Sequence, residues 1–194
     1  MKALPKVLIA LTAAAALSLA HPASANLVTN GGFETGDFTG WTVNGVIGSN
    51  INVVGTVGGV SPHSGNFQAI FSPGTGSVGI SQTLTTTPST IYTVDFWAAT
   101  GPNVGGSLSV NWGGSTVFSH VFPGATGYTE FTFNETASSA STDLSFVYSN
   151  SGILFLDDIS VNPAGVGVPD GGSTLPLLGC ALLGLAALRR KLNC

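Results

Sequence analysis

Between residues 26 and 163 the sequence has no lysine and no arginine. The five basic residues of the chain stand at its ends: Lys2 and Lys6, then Arg189, Arg190 and Lys191. Of the nine Asp and Glu residues only Asp170 lies outside that stretch, so eight carboxylates there lack any Lys or Arg partner. A nucleic-acid groove is built on clustered cations, so DNA and RNA are excluded as partners. Charged residues are 7% of the 194, against about a quarter in an average soluble protein. That rules out a coiled coil or a charged disordered tail. Cysteine is also missing from 26–163, since Cys180 and Cys194 both lie beyond it, and no disulfide framework holds that part of the chain. No Gly-x-Ser-x-Gly or His-Glu-x-x-His pattern occurs, which removes the commonest serine-hydrolase and zinc-protease signatures.

The two ends carry membrane signals. Residues 1–25 have the form of a secretory signal peptide: Lys2 and Lys6 before an apolar run at 7–19, then Ala23-Ser24-Ala25 as a small-residue cleavage site. Near the other end, 171–188 carries no charge and is followed at once by Arg189-Arg190-Lys191. As a helix this stretch is roughly 27 Å long, close to the roughly 30 Å of a bilayer's hydrocarbon core. The basic cluster keeps its end cytoplasmic and acts as a membrane stop. Residues 163–172, rich in Gly and Pro, read as a linker. The expected organisation is a signal peptide at 1–25, a domain at 26–162, the linker, and a hydrophobic C-terminal segment at 173–194.

Just before that segment stands Val168-Pro169-Asp170-Gly171-Gly172. The short Pro-containing motif, the hydrophobic helix and the basic end together resemble the PEP-CTERM group of bacterial sorting signals. They are most similar to its VPDSG-CTERM variant, with glycine in place of that pattern's serine. The resemblance covers 168–192. It implies export, transient anchoring in the inner membrane through the C-terminal helix, processing by an exosortase-type enzyme, and delivery to the cell surface or the extracellular matrix.

Within 26–162 no segment holds a 3.6-residue apolar period, and alternation of period two recurs. Tyr92, Val94, Phe96 and Ala98 share one face; so do Leu108, Val110 and Trp112, Phe131 and Phe133, and Leu144, Phe146 and Tyr148. Phe155, Ile159 and Val161 are expected to form another inward set, with Asp157 pointing into the sandwich between them. Turn clusters such as Gly113-Gly114 and Asn150-Ser151-Gly152 separate these runs. Short strands with such breaks predict an all-β antiparallel sandwich. The Gly74-Thr75-Gly76-Ser77-Val78-Gly79 string leads into a β-like run rather than a helix, which rejects a dinucleotide site.

The order of Asn30-Gly31-Gly32-Phe33-Glu34, Gly40-Trp41, His63-Ser64-Gly65-Asn66-Phe67 and Leu156-Asp157-Asp158-Ile159-Ser160-Val161 resembles the galactose-binding-like jelly roll of family 4 and 9 carbohydrate-binding modules. The resemblance implies a non-catalytic sugar-binding domain. It also implies a structural calcium ion held by Glu34 and by Asp157 or Asp158. The residues themselves leave the form of compensation open for those carboxylates. A buried carboxylate without a cationic side chain needs hydrogen bonds, protonation or a metal, and calcium favours oxygen ligands.

A saccharide site needs a flat apolar face beside planar polar groups. Asp95, Trp97, Asn111, Tyr128 and Glu130 fall opposite the inward positions, and they are the expected sugar-binding residues. Trp41 is expected in the core, His63 in a turn and His120 in a structural strand position. Glu130 and Glu135 form a glycosidase pair only if they face each other, and their odd spacing on a strand sends them to opposite faces. The sequence thus predicts an exported, exosortase-sorted, non-catalytic jelly roll that binds glycan at the cell surface or in the matrix. A matrix or adhesion protein without a sugar site and a surface polysaccharide hydrolase are its alternatives.

Overall fold

Ten strands follow one another along the chain in the computed structural model, which describes residues 26–101 and 106–165. The expected signal peptide, most of the linker, the sorting motif and the basic end lie outside the described residues. The strands are β1 Thr42–Asn44, β2 Ile51–Val54, β3 Gln68–Phe71, β4 Ser77–Thr85, β5 Ile91–Thr100, β6 Ser107–Trp112, β7 Ser115–Val121, β8 Thr126–Thr136, β9 Ser141–Ser149 and β10 Leu154–Pro163. They form two five-stranded sheets: sheet A in the order β1-β4-β9-β6-β7, and sheet B in the order β2-β3-β10-β5-β8. All pairings between named strands are antiparallel. Among the described residues there is no helix.

The sandwich forms because alternate residues on both sheets are apolar and close on one another. Val94, Phe96 and Ala98 of sheet B and Leu108, Val110, Leu144 and Phe146 of sheet A are fully buried. At the centre the Phe96 ring meets Phe146 edge-on at 5.2 Å, joining the two sheets. Phe131 stacks on Phe96 at 5.3 Å from the edge strand β8. The expected inward sets on β5, β6 and β9 are all found buried, and Trp41 is buried among Phe33 and Phe146.

One local expectation, on β10, is corrected. Residues 26–41 form turns. They nevertheless lie along β10, where Leu27 N–H donates to Val161 carbonyl (2.9 Å) and Ile159 N–H donates to Gly31 carbonyl (3.0 Å). A Cβ at Gly31 would come within 2.0 Å of the Ile159 carbonyl oxygen, so only glycine permits that approach. On β10 the inward residues are Leu154, Leu156, Ile159 and Val161, not Phe155. Phe155 pairs with Ala99 and Asp157 with Trp97, residues that alternate with the core positions of β5. Phe155 and Asp157 therefore share the outer face of sheet B, and Asp157 does not point into the sandwich. A register shift between Asp157 and Ser160, with Asp158 at φ 49°, changes the parity of the strand and returns Ile159 to the inside.

Gln82 on β4 fixes the turn-rich N-terminal segment to sheet A. Its carbonyl accepts the Thr29 N–H (2.8 Å), and its amide donates to the carbonyls of Thr29 and Gly40 (both 3.0 Å). Gln82→Ala is expected to destabilise the fold by about 2–3 kcal/mol in denaturant titrations, because these groups lose their partners together. Thr129→Ala, an exposed position, should stay within about 0.5 kcal/mol of wild type.

Candidate functional site

The expected ligand residues Glu34, Asp157 and Asp158 do gather, and what they gather around is a loop. Residues 63–67 run over the outer face of sheet B and present successive donors to the three carboxylates. Asp157 Oδ2 accepts the backbone N–H groups of His63 (2.8 Å) and Ser64 (3.3 Å), and its Oδ1 accepts the Asp158 N–H (2.8 Å). Asp158 Oδ1 accepts the Ser64 hydroxyl (2.7 Å). Its Oδ2 lies 2.6 Å from His63 Nδ1, a bond that needs the proton on that nitrogen because an ionised carboxylate only accepts. Glu34 takes the N–H groups of Asn66 (2.9 and 3.0 Å to its two oxygens) and Phe67 (3.0 Å). These bonds hold the Glu34 carboxyl below its ordinary range, with the Phe67 N–H the largest cause.

Calcium needs six to eight oxygens converging on one point, whereas these oxygens face N–H and O–H groups. Among the described residues no three His, Cys, Asp or Glu side chains are grouped to hold a metal ion.

The same loop lies on the expected sugar platform. The His63 imidazole stacks on Trp97 with ring centroids 3.8 Å apart and planes 13° apart, and it meets Tyr128 edge-on at 5.4 Å. Tyr128 donates its hydroxyl to Gln68 Oε1 (2.5 Å), while Gln68, itself buried, donates to the carbonyls of Gly55 and Val60. Burial, with Asp157 and Asp158 nearby, pushes the Tyr128 hydroxyl up. Trp97 and Glu130 face each other across β5 and β8, and so do Asp95 and Thr132, whose hydroxyl Asp95 accepts at 2.7 Å. Asp95, Trp97, Tyr128 and Glu130 therefore share one outer face, but one side of the Trp97 ring carries the loop's histidine. Glu135 pairs with the inward Tyr92, so Glu130 and Glu135 do point to opposite faces.

Asn111 is not with them. It lies on the outer face of sheet A, in register with Ser145 of β9, which is in register with Ser81 of β4. Together with Thr83, Gly114 and Asp143 these three residues line an open trough of about 480 Å³. Inside it Asn111 donates to the Ser145 hydroxyl (2.9 Å) and accepts the Thr116 hydroxyl (2.6 Å), while Asp143 accepts the Thr83 hydroxyl (2.5 Å). Asp143 and Ser145 were not expected as site residues. Their signal was present in the sequence, since both alternate with the inward Leu144 and Phe146.

Asp157 is fully buried, and that burial, with the Asp158 charge beside it, raises its carboxyl to about 6. The folded protein thus holds this proton more tightly than the unfolded chain. The resulting stability is complete below about pH 4 and is lost as pH rises through about 6. Asp157→Asn removes the titration. Wild type should lose about 2–3 kcal/mol relative to that variant between about pH 4 and pH 7, read from denaturant midpoints at each pH. A constant difference would mean that Asp157 titrates as an ordinary carboxyl.

Residues 167–192 match the family model described as the VPDSG-CTERM motif. No curated protein matches the chain. The structure is similar to that of TmCBM61 in complex with β-1,4-galactotriose, at 24% identity and a TM-score of 0.59, covering 72% of this chain and 99% of that one. It is similar to the CBM22-1 xylan-binding domain of Paenibacillus barcinonensis Xyn10C, at 17% identity and a TM-score of 0.52, covering 74% and 97%. It is also similar to the enzymatically active domain of bacteriophage CBA120 tailspike protein 4, at 14% identity and a TM-score of 0.54, covering 71% of this chain and 21% of that one. The chain therefore ends in a VPDSG-CTERM motif, and the two-sheet body that precedes it has the jelly-roll fold seen in carbohydrate-binding modules.

Proposed function

We propose that this protein is exported, sorted at the membrane through its C-terminal motif by an exosortase-type enzyme, and retained at the cell surface or in the extracellular matrix. There its jelly roll holds an uncharged glycan, without catalysis, in the trough of sheet A. The observation that carries this reading is the trough itself. Hydroxyls, an amide and one carboxylate line an open depression on a sheet face, in a fold shared with a module solved with β-1,4-galactotriose and with a xylan-binding domain.

The chemistry suits sugar hydroxyls. Each both donates and accepts; Asp143 accepts only, the Asn111 amide does both, and Ser81 and Ser145 adapt by rotation. None of the residues lining the trough is aromatic, so recognition rests on hydrogen bonds exchanged with water, worth about 0.5–1.5 kcal/mol each. Single sugars then bind weakly, and a polymer presenting many copies gains by avidity. An acidic polysaccharide would meet Asp143 and the other carboxylates of a domain without Lys or Arg, so like-charge repulsion excludes it. The absence of catalysis accords with Glu130 and Glu135 standing on opposite faces, since paired carboxylates must flank one glycosidic bond.

Affinity electrophoresis of the full chain in gels containing galactan, xylan, glucan or alginate tests the reading. Retardation by at least one neutral polymer and none by alginate is expected. Asp143→Ala with Asn111→Ala should weaken that binding about tenfold, equivalent to about 1.4 kcal/mol. Failure to bind any polysaccharide, with the fold intact, would favour a structural matrix protein. Deleting residues 168–194 should release the exported domain into the medium. Identical partitioning of the full and shortened chains would remove the sorting assignment.

A further inference from the structure

We infer that the 63–67 loop takes the place of a bound cation, so that this jelly roll folds and keeps its end closed without calcium. Glu34, Asp157 and Asp158 offer six carboxylate oxygens, and every one of them accepts a hydrogen bond from an N–H or O–H group. The donors on Glu34 and Asp158, and on Asp157 Oδ2, all come from the loop. An N–H bond ends in a partial positive charge, so a row of them neutralises a carboxylate much as an ion does. The same hydrogens repel a cation approaching from the loop's side, so the loop competes with calcium for these oxygens.

The local backbone is shaped for this contact. Gly65 has φ 59°, and a Cβ there would lie 2.3 Å from Glu34 Oε1. Any side chain would push Glu34 away from the Asn66 and Phe67 amides, whereas glycine lets the loop close on it. Gly32 sits between the partners, and a Cβ on it would lie 3.2 Å from Asp158 Oδ1 and 3.9 Å from Glu34 Cγ. Asp158 reaches the loop from a positive φ, a backbone state that aspartate tolerates better than most residues. The loop thus joins the N-terminal segment, through Glu34, to the last strand, through Asp157 and Asp158. It also lays His63 over Trp97, so the clamp and the aromatic surface of sheet B are one assembly.

Thermal melting of the full chain, followed by tryptophan fluorescence, tests this in the presence of EGTA and again with added calcium. The expected melting temperature is the same in both, and metal analysis of the purified protein should find far less than one calcium per chain. Glu34→Gln keeps the oxygen that can accept an N–H but loses the charge, and it should lower the melting temperature by a few degrees with or without calcium. Gly65→Ala should lower it further and alter the Trp97 emission as His63 lifts. A melting temperature that falls with EGTA and recovers with calcium would overturn the inference. So would a Glu34→Gln variant whose melting temperature is unchanged.

Discussion

Asp157 is a carboxylate without exposure in a domain without a Lys or Arg side chain. An isolated buried charge of this kind costs several kcal/mol unless it is neutralised, protonated or hydrogen bonded. Backbone amides from two places meet part of the demand, the Asp158 N–H from its own strand and the His63 and Ser64 N–H groups from the loop, and the rest shows in the raised carboxyl. Much of the surrounding architecture follows from that contact. The loop must lie on sheet B, which covers Asp157 and seats His63 on Trp97. The strand must break its alternation there, which it does at the bulge. Because the loop also satisfies Glu34, the N-terminal turns and the final strand are held by the same few residues.

The outer faces of the two sheets then serve different ends. Sheet B spends its aromatic residues internally, since Trp97 and Tyr128 anchor the loop and the buried Gln68. Sheet A keeps a shallow, wettable face of small polar side chains in register across β4, β9 and β6. An aromatic platform and a hydrogen-bonding trough, expected as one site, are thus divided between opposite sides of the molecule.

Alternation made most of the sandwich legible in the sequence. On β5, β6 and β9 the apolar residues Tyr92 to Ala98, Leu108 to Trp112 and Leu144 to Tyr148 alternate inward without a break. It failed where one extra residue entered: the pattern of Phe155, Asp157 and Ile159 looks like a single face, but the bulge at Asp158 puts the first two outside and the third inside. Alternation tells in from out and says nothing of which sheet a strand joins. Asn111 was therefore grouped with Trp97, although β6 and β5 belong to different sheets. For Glu34, Asp157 and Asp158, the sequence showed that compensation was needed and left its form open; only the fold brings the 63–67 amides to them.

β10 is the middle strand of sheet B, bonded to β3 and β5, and its last residues continue toward the carboxyl end of the chain. A force applied at Pro163 along the axis of β10 loads that strand directly. Its ladder bonds lie across that axis and resist sliding together, whereas a strand at a sheet margin can be unzipped one bond at a time. The exit of the chain at Pro163 is thus backed by hydrogen bonds to two neighbours that share any load placed on it.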